Sequence, residues 1–119
     1  MEGFTQQRGV TVAEVSQFYD FDDTGSADAF GDALLEHART IDPPLLVVDL
    51  SQTVGINSLV VGKLLSAKKT LAARHGALAI SGANDYCRAI FRVMNLEKLL
   101  EFFPSSDEAV AALLQRAAG

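Results

Sequence analysis

At 119 residues and 49% hydrophobic content, the chain is expected to form one globular domain over 1–119, with a core about 9–114 that needs no metal or disulfide. A formal net charge of -5, with acidic residues concentrated between Asp20 and Asp32, argues against a nucleic-acid partner, because phosphate binding needs a basic face. The lone Cys87 excludes an internal disulfide, MEGFTQQRG lacks the apolar and basic pattern of a secretory leader, and no apolar run reaches membrane-spanning length, so a cytoplasmic location without membrane insertion is expected.

In chain order, Gly9 to Ser16 alternates enough to predict a strand with one buried face, and Phe4 suits a partner strand joined to it by a turn at Gln7 to Gly9. Phe18, Tyr19 and Phe21 precede a polar loop in which Thr24 or Ser26 can cap the next helix. That helix carries Ala27, Phe30, Ala33, Leu34, Ala38 and Ile41 at helical spacing, and Pro43 and Pro44 end it. Leu45 to Leu50 is short, apolar and half β-branched, which predicts a buried strand. After a polar knot from Ser51 to Ser58, a helix presents Val61, Leu64, Leu65, Lys68, Leu71 and Ala72 along one side, with Gly76 placed as its left-handed terminator. Ala77 to Ser81 predicts another strand, and Asn84 or Asp85 can cap a helix whose apolar stripe reads Tyr86, Ile90, Val93 and Met94 with Ala89. Leu96 to Phe103 suits a turn and a short strand, and Ser105 or Ser106 opens a last helix with Ala109, Val110, Leu113 and Leu114 inward.

Strands separated by helices of this length predict an α/β domain: a mostly parallel sheet of four to five strands, an antiparallel N-terminal edge and about four helices.

Catalytic groups are sparse. His37 and His75 fall at polar helix ends and read as solvated, and no phosphate loop of the GxxxxGK or GxGxxG form occurs. Cys87 sits in a predicted first turn with no identifiable base, so a buried or inert thiol is expected. Asp20, Asp22 and Asp23 lack calcium-loop spacing and read as a solvated loop, so neither metal nor cofactor is expected. What remains is the junction at Ser58. A hydroxyl in a helix's first turn lies beside unpaired N–H groups and the positive dipole end, where a phosphate is modestly stabilised. The plainer role for Asn57 or Ser58 is capping.

VVDLSQTVGINSLVVGKLL resembles the central motif of the STAS domain, the fold of anti-sigma factor antagonists. The family's strand ending in Asp-Leu matches Val47 to Leu50, its apolar position Ile56, its serine Ser58 and its second glycine Gly62, and the order of elements from about Gly9 to Leu114 is similar throughout. The resemblance implies a non-enzymatic regulatory domain that docks an anti-sigma factor with serine kinase activity, with phosphorylation at Ser58 and a phosphatase to reset it. The partner surface carried over is Asn57, Ser58, Leu59, Val60 and Gly62, with Asp20 matching an acidic residue near the end of the family's second strand. Asn57 stands for the usual aspartate, Leu59 for the second serine or threonine and Val60 for the first glycine. These departures favour an alternative: a STAS scaffold or accessory subunit of a signalling or lipid-transport complex, independent of phosphorylation. A small α/β enzyme using Cys87 is a third, weaker reading. Because Val61 shares a stripe with Leu64 and Leu65, Leu59 and Val60 cannot both point inward beside it, so one of them is expected to be exposed at an interface.

Overall fold

A computed structural model describes residues 3–14, 24–53, 56 and 58–118, with side chains described over the same residues except 24–27 and 118. The chain runs β1 (Phe4–Gln7), β2 (Val10–Glu14), α1 (Thr24–Thr40), β3 (Leu45–Asp49), α2 (Ser58–Ala73), β4 (Ala77–Ser81), α3 (Asp85–Val93), β5 (Glu101–Phe103) and α4 (Ser106–Ala118). The five strands lie in sequence order in one sheet; β1 pairs antiparallel with β2, and every other pairing is parallel. This is the α/β architecture expected, including the antiparallel edge. Arg8 and Gly9, both with positive φ, make the β1–β2 turn.

The central strands β2, β3 and β4 are buried on both faces. Leu46, Val48, Leu50, Leu78 and Ile80 join Phe30 and Leu34 of α1, Val60, Val61, Leu64, Ala67 and Leu71 of α2, and Cys87 and Phe91 of α3. The alternate residues Val10, Val12, Leu45, Val47 and Ala79 meet Ala109, Val110 and Leu113 of α4. Consequently β2 is not the half-buried strand expected: Val10, Thr11, Val12 and Ala13 are all buried, because α4 covers the second face. Three helical connections, α1 to α3, lie between successive strands from β2 to β5, and α4 follows the last strand. Ser105 accepts from the Glu108 amide at 3.3 Å and donates to the Glu108 carboxylate at 3.2 Å, a capping box that starts α4.

Four further expectations change. Ser26 lies inside α1, which begins at Thr24. The left-handed residue ending α2 is His75 (φ 61), and the Gly76 amide donates to the Leu71 carbonyl at 2.7 Å while the His75 amide donates to Ala72 at 3.0 Å, a Schellman arrangement. Gly76 serves a steric purpose instead, since a Cβ there would lie 2.0 Å from the Pro44 carbonyl oxygen. His37 is half-buried: its Nδ1 donates to the Ala33 carbonyl at 2.8 Å, and its ring stacks on Phe4 at 3.7 Å.

The fourth concerns α3, whose buried face is shifted from the expected stripe, of which Ile90 still packs on the core. Cys87 and Phe91, four residues apart, face the core, whereas Tyr86 is 64% and Val93 81% exposed. Phe91 is held by Phe102 of β5, edge to face at 5.1 Å. The 3.6-residue period was right and the phase was set by this contact.

Candidate functional site at the start of the second helix

The site is assembled where parallel strands end and helices begin. Asp49 closes β3, and its carboxylate accepts from the Ser51 amide at 3.0 Å and the Ser51 hydroxyl at 3.1 Å, a local turn that bends the chain out of the sheet. The Leu50 amide donates to the Ser81 carbonyl at 2.8 Å, and the Thr53 amide to the Leu50 carbonyl at 3.0 Å. The next connection is pressed against this turn: Gly82 (φ +68) comes so close that a Cβ would lie 2.7 Å from the Ser51 Cβ and 2.9 Å from an Asp49 carboxylate oxygen. Only a residue without Cβ meets both conditions. Asn84 completes the join, its Nδ2 donating to the Thr53 carbonyl at 3.3 Å and its Oδ1 accepting from the Cys87 amide at 2.8 Å as the cap of α3. Among the described residues the buried hydroxyls of Thr53 and Ser81 have no hydrogen-bond partner.

Beyond this base the chain re-enters the core at Ile56, and α2 begins at Ser58, which is exposed. Its hydroxyl therefore stands at a helix end whose first amides have no intrahelical acceptor. Gly62, one turn further on, is exposed, and among the described residues nothing lies within 4 Å of where its Cβ would be. Leu59 is half-buried and packs on the core. Val60 is completely buried, as is Val61, because α2 is covered by α1 on one side and the sheet on another, which widens its buried arc. Val60 therefore cannot present its side chain to a partner here, and of the pair only Leu59 is partly accessible. Ser58, Leu59 and Gly62 are brought onto one helical turn. Asp20 and Asn57 lie outside the described residues, as do Asp22 and Asp23.

Ser51 opens the polar knot that the sequence marks, and the structure adds Asp49, Gly82 and Asn84 to its base. Asn84 was visible as a cap, but its second bond spans from the third helix to the loop after β3, and no local pattern carries that. Lys63 was likewise unassigned; its Nζ donates to Asp32 of α1 at 3.2 Å and fixes α2 against α1 below the first turn. Cys87 is fully buried, and burial pushes its thiol above the ordinary range, outweighing the opposing hydrogen bond at Asn84. That is the opposite of nucleophile activation.

A parallel sheet with an antiparallel edge, and an exposed serine opening the helix after its third strand, define the STAS class of domain. A family model described as Mlab, STAS domain, matches residues 23–101, and the chain belongs to this family. Among solved structures, a STAS domain protein from Planctomyces limnophilus is 18% identical with a TM-score of 0.84, covering 93% of this chain and 96% of that one. An anti-sigma factor antagonist from Mycobacterium paratuberculosis is 24% identical with a TM-score of 0.77, covering 92% and 90%. A sulfate transporter family protein from Wolinella succinogenes is 18% identical with a TM-score of 0.74, covering 97% and 93%. No match was found among curated proteins. Among the described residues no helix is long and apolar enough to cross a membrane.

Proposed function

We propose that this chain is a non-enzymatic regulatory domain that docks a protein partner through the first turn of α2, with Ser58 at the centre and Leu59 and Gly62 beside it. The partner in this reading is an anti-sigma factor with serine kinase activity, which phosphorylates Ser58, with a phosphatase to reverse it. By the family resemblance, Asp20 and Asn57 are further candidates for contact with the partner. The observation that carries the reading is Gly62. A glycine at an exposed helix position costs about 0.5 to 1 kcal/mol relative to alanine, and among the described residues no neighbour occupies the space a Cβ would take. Close approach by another molecule is a use for that space, and the accessible Ser58 hydroxyl lies one turn away. A phosphate on Ser58 brings a charge of about -1.5 to -2 to that approach, enough to expel a partner fitted to a bare hydroxyl.

The test is recovery of partners from the native cell with wild-type, Ser58→Ala and Ser58→Asp proteins, and mapping of phosphate on the recovered chain. The reading expects a kinase-bearing partner retained by wild type and Ser58→Ala, released by Ser58→Asp, and one phosphate at Ser58. Partner retention by Ser58→Asp with no phosphate at Ser58 would overturn it. The match to the Mlab family model favours a second reading, a phosphorylation-independent scaffold or accessory subunit of a signalling or lipid-transport complex. Co-purification with a transporter ATPase, unaffected by Ser58→Asp, would decide for it.

A further inference from the structure

A second site lies away from Ser58, toward the other end of α2. A groove of about 310 Å³ is lined by Lys68 and Ala72 of α2, Gly76 to Leu78 at the start of β4, Lys98, Leu99 and Glu101 before and within β5, and Arg116 of α4. Lys68 follows Ser58 by ten residues, a separation of about 15 Å along the helix. The groove exists because β5 is short: it pairs with β4 only from Ala79 onward, so Ala77 and Leu78 run past the end of that pairing, beside Lys98 and Leu99.

Its charge is opposite to that of the whole molecule. Three cations and one carboxylate line the groove, a balance of two positive charges in a chain of formal charge -5. Arg116 donates to Glu101 within it. Among the described residues Lys68 and Lys98 have no ion-pair partner, as is also true of Arg8, Lys69 and Arg74 outside the groove, so both ammonium groups are free to take an anion. Two unpaired ammonium groups are thus held beside a guanidinium, with apolar surface next to them: Leu99 is 50% exposed, and Leu78 and Ala77 line the same groove.

We propose that this groove binds the phosphate monoester group of a small ligand. Such a group carries about -1.5 to -2 charges near pH 7, which matches the local balance, and it accepts several charged hydrogen bonds at once from lysine and arginine. The volume is at the small end of the range for ligand pockets, roughly 300 to 1,000 Å³, so it suits a phosphate with a compact carbon group rather than a large cofactor. Leu99 and Ala72 receive the carbon group, Lys68 and Lys98 the phosphate oxygens, and Arg116 exchanges Glu101 for the ligand. The phosphate can belong to a soluble ester or to a lipid headgroup.

Two probes separate these sources, titrated into the full ¹⁵N-labelled chain and followed by amide shifts: phenyl phosphate, and vesicles of phosphatidate in phosphatidylcholine against phosphatidylcholine alone. The expected result is saturable perturbation at Lys68, Ala77, Leu78, Leu99 and Arg116 and none at Ser58. Response to phenyl phosphate assigns a soluble ester, response to phosphatidate vesicles alone assigns the headgroup, and both support the site. Lys68→Ala with Lys98→Ala should weaken binding by roughly tenfold or more, as loss of charged hydrogen bonds does. Glu101→Gln should tighten it, because the competing carboxylate is gone, and this gain is one that a structural role of Glu101 does not produce. Each variant is compared at equal urea midpoint-normalised folding. Absence of groove-centred shifts with both probes, wild-type affinity in the double lysine variant, or unchanged affinity in Glu101→Gln would each overturn the proposal.

Discussion

The Asn84 side chain reaches across 3.3 Å to the Thr53 carbonyl while capping α3 through the Cys87 amide, so one residue ties the third helix to the loop leading to Ser58. The two bonds use different atoms and can be removed separately. Asn84→Asp keeps an oxygen for the Cys87 amide but loses the donor to Thr53; Asn84→Ala loses both. The cap alone is worth about 0.5 to 2 kcal/mol. Urea unfolding should therefore show a larger loss for Asn84→Ala, whereas the carbonyl ¹³C resonance of Thr53, the acceptor of the bridge, should shift in both variants. An unchanged Thr53 carbonyl resonance in Asn84→Asp would remove the bridge from the account.

Gly62 and Gly76 should respond in opposite directions to the same change. At Gly62 a methyl group enters open space on a helical backbone, and Gly62→Ala should stabilise the fold by about 0.5 to 1 kcal/mol. At Gly76 it meets the Pro44 carbonyl oxygen at 2.0 Å, a backbone atom that cannot rotate aside. Gly76→Ala should cost on the order of 1 to 3 kcal/mol, as overpacking does, and shift amides around Pro44. Urea midpoints of the two variants on either side of wild type are the expected outcome. A stabilised Gly62→Ala that also binds its partner less well would mean that the exposed glycine is kept for contact rather than folding.

This contrast also shows what could be read from the residues. Strand Ala77–Ser81, the capping box of α4 and the antiparallel β1–β2 pair are local patterns, and they stand where the pattern puts them. The face of α3 is not local. Tyr86, Ile90 and Val93 on one side and Cys87 and Phe91 on the other are both apolar, so the period is legible and the phase is not until Phe102 of β5 selects Phe91. Val60 was misplaced for a related reason. A helix touching only the sheet has one narrow buried stripe, whereas α2 lies between the sheet and α1 and buries Val60 beside Val61. The start of α2 at Ser58 needed no tertiary knowledge, because a polar stretch between two apolar runs marks it in the residues themselves.

Cys87 should behave as a core residue toward thiol reagents. It is fully buried, and burial raises its folded-state pKa above the ordinary 9.0. With the folded value above the unfolded one, the thiol's contribution to stability is fully present below about pH 9 and is lost as pH rises through the folded value. An aromatic disulfide reagent at pH 8 should leave the native chain unmodified and react promptly after unfolding in urea. Fast stoichiometric reaction of the native chain would place the thiol at an accessible and activated position, and would reopen chemistry at Cys87.

Glu97 joins the turn after α3 back onto that helix, accepting from Arg92 Nε at 3.2 Å and from an Arg88 terminal nitrogen at 3.0 Å. These two hydrogen bonds, Arg92 first, hold its carboxyl below the ordinary 4.5. Because the folded value is depressed, the stabilisation is fully present above the unfolded value and is lost as pH falls through the folded one, so only the loss is confined to acid conditions below about pH 4.5. Arg88 has a second task, its guanidinium lying 4.4 Å from the Phe102 ring centre, against the same ring that selects Phe91. The two arginines are thereby distinguishable. Arg92→Ala should raise the Glu97 carboxyl titration followed by NMR while leaving the ring resonances of Phe91 and Phe102 in place. Arg88→Ala should raise the titration less and shift both rings, because it removes a contact on the packing that orients α3. Equal ring shifts in the two variants would mean that Arg88 acts on Glu97 alone, and the orientation of α3 would then rest on the Phe91–Phe102 contact without it.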